Sequence, residues 1–274
     1  MSGSVTICMP HWQVKQLLLP CLRSIRKHSQ NYDVRVVVVD NGSNDESLEW
    51  LRELDWIRLI ERPDESPENW PRNVFTAWDR AIRECDTDYF ITMHTDVFIK
   101  DDDWLDPFFV RMEESDNVAA VGGWKLSLGN SLYEWQKHFF GRLFSRMKGK
   151  ENNSAEDLYG YFPRDYCAMY RVRPIVDNDL KFSADAEFGG GLPIMKQLWN
   201  LGYEHRMIPI PELSDHIVHI AHGSAAVAAD LTLRRKSAMR KVEKRVAKLF
   251  SEPWVQELYQ QNRWDRTDPA EGDY

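Results

Sequence analysis

Short apolar runs and helical stripes take turns along the first third of the chain. Val5–Pro10 (VTICMP) and Val34–Asp40 (VRVVVVD) read as strands, the second apolar on both faces, as strands in the middle of a parallel sheet are. Between them QVKQLLLPCLRSIRKHS repeats its apolar residues at helical spacing, with Pro20 expected to interrupt or kink the helix. The same reading predicts a helix over Glu46–Leu54, a strand over 56–61, a helix over Asn73–Cys85 and a strand over 88–93. Such alternation predicts an α/β fold: a mostly parallel central sheet flanked by helices, with the ligand at the carboxyl ends of the strands. Past about residue 125 the alternation weakens. Trp124–Pro163, rich in aromatic and basic residues, reads as an insertion or lid rather than more sheet.

Composition narrows the class. A chain of 274 residues, 43% hydrophobic and 12% aromatic, can bury one sizeable core or two modest ones. Eleven Trp and ten Tyr exceed what a core alone uses, and such rings commonly hold flat or polyhydroxylated ligands. The four Cys have no C-x-x-C spacing, which argues against a zinc knuckle or a disulfide framework and for a reducing cytoplasm. The first residues lack a basic segment followed by an apolar one, and no run reaches membrane-spanning length. A soluble protein, or one attached peripherally at a membrane surface, is expected.

Charge is segregated. The formal net charge is −8, yet Leu231–Phe250 carries eight Lys and Arg against one Glu. Met239, Val242, Val246 and Leu249 share one helical face there, with basic residues around the rest. The plainer reading is a peripheral helix with a solvated basic face. The functional one is contact with an anionic partner: phospholipid headgroups, a lipid-linked acceptor or nucleic acid.

Two strand ends carry candidate chemistry. Asp40 closes a buried strand and is followed by a turn rich in Asn, Gly and Ser and then by a helix that Ser43 or Asp45 can cap. That is either an ordinary junction or a ligand edge. The stretch YFITMHTDVFI, from Tyr89 to Ile99, ends its apolar run on His94, Thr95 and Asp96. An imidazole and a carboxylate side by side can hold a divalent cation; alternatively, Asp96 caps the loop before KDDDW.

Together, VTICMP, VVVVDNGSNDES, NWPRNVFTAWDRAI and YFITMHTDVFI resemble, in order and spacing, the nucleotide-sugar-dependent glycosyltransferases of the A-type fold, family 2 in particular. Further on, FSADAEFGGGLPIMKQLWNLGYEHRMIP is similar to that family's base-bearing segment, and HIVHIAHGSA to its closing His-Gly-Ser stretch, so the resemblance spans residues 5 to about 225. It implies one domain over 1–230, with a Rossmann-like nucleotide-sugar half over about 1–122 and an acceptor half over about 123–230. Residues 231–274 would be an appended basic helix and tail. The activity implied is inverting transfer of a sugar from a nucleoside-diphosphate sugar, a UDP-sugar favoured, to the hydroxyl of a glycan, lipid-linked or nucleic-acid acceptor. Manganese or magnesium would sit at the diphosphate, where a cation offsets growing negative charge.

By the same resemblance Asp40, with Asn41, receives the nucleotide base, and Pro10 and His11 line its pocket. Arg72 and Asn73, at the head of the third helix, approach ribose or phosphate, the plainer alternative for Arg72 being a solvated surface charge; His94 and Thr95 lie against the donor. Asp96 ligates the cation, completed by His219 first and His222 second, while His216 is the remaining histidine of that stretch. Asp185 is the catalytic base, with Glu187 as the fallback. This chain departs from the family pattern where His94 replaces the first acid of Asp-x-Asp, and where Ala184 and Gly191 replace an acid and an arginine near the base. In an alternative register Thr95 and Asp96 match the first two motif positions and Val97 the missing acid. The glycines of FGGGLP lack Rossmann or P-loop spacing and suit close approach of an acceptor to the backbone. The departures leave two other readings: a catalytically weakened relative that binds nucleotide sugars or glycans, and a nucleic-acid-binding or -modifying protein led by its basic helix.

Overall fold

The computed structural model describes residues 3–13, 15–69, 71–126, 160–184, 191–220 and 244–267. Strands β1 (Val5–His11), β2 (Val34–Asp40), β3 (Ile57–Glu61) and β4 (Tyr89–Met93) follow the apolar runs to within a residue or so. Helices α1 (Lys15–His28), α2 (Glu46–Glu53) and α3 (Arg72–Arg83) lie between them. Then come β5 (Val97–Ile99), α4 (Asp106–Met112) and β6 (Val118–Gly123). Past the segment read as an insertion stand β7 (Cys167–Arg171), α5 (Val172–Asp177), α6 (Leu192–Asn200), β8 (Glu204–Ile208), α7 (Ile210–His216) and β9 (Ile217–His219). Residues 244–250 are helical, and α8 (Pro253–Gln260) follows.

Seven strands make one sheet in the order β3-β2-β1-β4-β7-β6-β8. Every neighbouring pair is parallel except those of β7, which runs antiparallel to both β4 and β6. Alternate residues of each strand enter opposite faces. Ile7, Met9, Val36 and Val38 join one core with Leu17, Leu22 and Ile25 of α1; Cys8, Val37 and Val39 join the other with Phe75 and Trp78 of α3. The sheet is therefore buried on both sides, which is why its central strands are apolar throughout.

The antiparallel direction of β7 places chemistry. Its first residue, Cys167, pairs with Met93, so the residues just before β7 stand beside those just after β4. A second, two-stranded ladder pairs Val97 of β5 with His219 of β9 and carries that histidine to the same edge.

Pro20 lies inside α1, which continues through it to His28. Lacking an N–H, Pro20 leaves the Gln16 carbonyl without its helical donor. The Tyr259 hydroxyl of α8 donates to that carbonyl instead. Nearby, Arg23 is 5% exposed and donates to both Asp265 oxygens at 2.7 and 2.6 Å and to the Leu258 and Tyr259 carbonyls at 2.8 Å. The C-terminal elements thus satisfy polar groups that α1 buries.

Candidate functional site

At the carboxyl ends of β1 and β2, His11 and Asp40 are register partners, and both are buried. Asp40 Oδ1 accepts the Ser43 N–H at 2.9 Å. Asp45 caps α2, accepting from the backbone N–H and the hydroxyl of Ser47. Because that hydroxyl donates to a carboxylate, its oxygen accepts from His11 Nε2–H at 2.8 Å, and the neutral ring keeps its lone pair on Nδ1. Burial lowers the His11 pKa to about 4 against the opposing charges of Asp40 and Asp45, so the ring is neutral near pH 7. Asp40 Oδ2, His11 Nδ1 and Asn73 Oδ1 are buried and meet no hydrogen-bond donor among the described residues. All three are acceptors, and a ligand edge that presents donors would satisfy them.

Arg62, one residue past β3, ties this corner together. Its Nη1 donates to Asn41 Oδ1 at 2.9 Å and to the Asn73 carbonyl at 3.0 Å; Nη2 donates to Thr76 at 3.0 Å and pairs with Glu65. Arg62, Glu65, Asn69, Thr76 and the exposed Arg72 line a cleft of about 310 Å³. The sequence reading missed Arg62, although a cation directly after a parallel strand is a signal of the same kind as Asp40.

Past β4 the chain places His94, Asp96 and His219 so that one potential ligand atom of each lies within 4.8 Å of the others. Asp96 is 2% exposed, and its Oδ1 is 3.5 Å from His219 Nε2 and 4.0 Å from His94 Nδ1. His219 Nδ1 donates to the Leu126 carbonyl at 2.7 Å, and the Tyr166 ring stacks on the imidazole at 4.3 Å between centroids. That bond fixes the Nδ1–H tautomer and turns Nε2 toward Asp96, as a histidine that binds a metal through Nε2 ordinarily donates its other ring N–H to a carbonyl. His94 stacks on Trp78. Burial lowers its pKa, and the charges that oppose this most are Asp165 and then Asp96. Two imidazoles and a carboxylate form a mixed nitrogen and oxygen donor set, which suits a transition-type divalent cation better than magnesium.

The glycosyl transferase family 2 model matches residues 6–177, well over half of the chain. The chain belongs to glycosyl transferase family 2. No curated protein matches the transferase in sequence. Among solved structures, a fragment of S. aureus TarS comprising its residues 1–349 superposes with a TM-score of 0.53 at 14% identity, covering 91% of the transferase and 72% of that chain. The same fragment in complex with UDP-GlcNAc gives 0.52 at 14% identity, with 94% and 72% covered. The mannosyltransferase PcManGT from Pyrobaculum calidifontis, in complex with GDP-Man and Mn2+, gives 0.54 at 15% identity, with 94% and 73% covered. At such identities these likenesses speak for the shared fold.

Within the transferase, Pro10, His11, Asp40, Asn41 and Asn73 gather at the first corner; Thr95, also buried, lies between His94 and Asp96. His216 binds Asp101 at 2.8 Å instead of joining the cluster. Asp185, Glu187 and His222 fall outside the described residues, as does most of the basic stretch. Of the latter's apolar face, Leu249 is buried and Val246 packs on the core, while Lys244 and Lys248 are exposed.

Proposed function

We propose that this transferase moves a sugar from a nucleoside-diphosphate sugar, a UDP-sugar in the first instance, to an acceptor hydroxyl with inversion at the anomeric carbon. Asp96, His219 and His94 would hold a divalent cation, manganese before magnesium. The observation that carries the reading is this three-residue cluster, next along the sheet from the His11–Asp40 pair. When bound there, the cation would supply positive charge against the diphosphate oxygens on which negative charge grows. Asp40 Oδ2 would accept the imide N–H of the base, and His11 Nδ1 and Asn73 Oδ1 would accept donors of the base or ribose. The named complexes of TarS with UDP-GlcNAc and of PcManGT with GDP-Man and Mn2+ support a sugar nucleotide and a cation on this fold.

The test is thermal unfolding against UDP, GDP and their sugars, with and without manganese or magnesium. A ligand of the native state raises the melting temperature by mass action. The expected result is a manganese-dependent shift with a uridine nucleotide, abolished in Asp96→Ala. Indifference to every nucleotide would overturn the reading, and a larger shift with GDP would move the donor to a guanosine sugar.

A further inference from the structure

The carboxylates expected from the sequence to take the acceptor's proton lie outside the described residues, yet the described site holds a carboxylate with no assigned task. Asp165 is 9% exposed, and among the described residues no hydrogen bond or ion pair engages its side chain. A carboxylate shielded to this degree is ordinarily paired. Its position follows from topology. The antiparallel direction of β7 sets residues 164–166 beside residues 94–96, and the His94 N–H donates to the Tyr166 carbonyl at 3.0 Å. Tyr166 stacks on His219, so Asp165 stands one residue from a side chain that touches the cation cluster. Among the described residues the cluster comprises His94, Asp96 and His219, and Asp165 is not a fourth member of it.

The start of α6 closes the other side. Gly191, at φ +86°, caps that helix, and a Cβ there would lie 3.0 Å from the Pro163 carbonyl oxygen and 3.6 Å from the Asp165 nitrogen. Gly191 therefore sits directly against the loop that bears Asp165. Backbone meets backbone here so closely that a side chain at Gly191 would not fit. Among the described residues Asp165 makes no capping bond and no ion pair.

We infer that Asp165 is the general base toward the acceptor, an assignment that rests on the sugar-transfer reading above. In the step, the acceptor O–H proton passes to the Asp165 carboxylate while the acceptor oxygen bonds to the anomeric carbon. The bond from that carbon to the diphosphate oxygen breaks, and its electron pair leaves with the nucleoside diphosphate. Asp96, the other described carboxylate at this edge, is turned to His219 and His94, where it would hold the cation.

The experiment follows release of nucleoside diphosphate from UDP-GlcNAc, UDP-glucose and GDP-mannose with manganese, water serving as the acceptor, in the full chain and in Asp165→Asn, Asp165→Ala and Asp185→Asn. Asp165→Asn is expected to slow release about 100-fold or more, the usual range for loss of a general base, while the donor-and-manganese melting shift stays intact. Sodium azide, an anion with no proton to remove, should restore turnover of Asp165→Ala and yield a glycosyl azide. The inference is overturned if Asp165→Asn releases nucleotide at the parent rate, if it loses the melting shift together with the rate, or if azide does not rescue. It is also overturned if the parent binds donor but releases nothing, a result that leaves the donor site standing. Should Asp165→Asn fail to fold, Asp165→Glu decides: a displaced carboxylate keeps part of the rate, whereas full parent rate overturns the role. No shift and no release in the parent would instead overturn the sugar-transfer reading itself.

Discussion

At Asp40, one carboxylate oxygen accepts the Ser43 N–H and the other meets no donor among the described residues. A buried acceptor left this way costs about 1–3 kcal/mol, which a bound base would recover. Asp40→Ala should therefore weaken UDP binding by about 1–3 kcal/mol, roughly 5- to 150-fold, with manganese affinity unchanged; titration calorimetry checks both. His11 gives a pH dependence of stability. Its folded pKa is lowered to about 4 by burial, whereas the unfolded chain titrates near about 6.5. Between those values the unfolded state binds the extra proton, so this contribution is whole above about pH 6.5 and is lost as pH falls toward about 4. The loss amounts to up to about 3 kcal/mol. Urea unfolding of the parent and of His11→Gln at about pH 7.5 and about pH 4.5 should show the smaller fall in the variant. Asp40 and Asp96 were legible because each interrupts an apolar run. Asp165 was not: nothing in FPRDYCAMYR marks its acid as buried.

Among the elements, the four strands and three helices up to residue 93 follow the pattern closely, since burial on both faces leaves an apolar run that no helix of that length would show. The strands β7 (CAMYR) and β8 (EHRMI) are short and mixed, and their pattern carries no such mark. Pro20 was expected to interrupt or kink α1; the helix is not interrupted and continues to His28, with Tyr259 serving the orphaned carbonyl. The α6 cap makes its own prediction. Gly191→Ala places an L-residue at φ +86° and a methyl group 3.0 Å from the Pro163 carbonyl oxygen. The left-handed conformation alone costs about 1–2 kcal/mol, so chemical denaturation should show at least that loss. If Asp165 faces the acceptor, the same variant should slow transfer without moving the nucleotide melting shift.

Over the whole molecule, the C-terminal elements close on the first helix some 240 residues away, through Arg23, Asp265 and Tyr259. Asp265→Ala would leave the nearly buried Arg23 guanidinium with only two backbone carbonyls, a loss of about 2–4 kcal/mol that urea denaturation would register. Tyr259→Phe, removing one hydroxyl, should cost about 1 kcal/mol. The sequence by itself determined the alternation of strands and helices, the parallel core and the residues at the ends of β2 and β4, because periodicity and burial are local properties of the chain. Which strands become neighbours, the reversal of β7, the delivery of His219 to Asp96 and of Asp165 to His94, and the clasp on α1 were decided only by the tertiary structure. Each joins residues far apart in sequence, and no local pattern encodes the packing that brings them together.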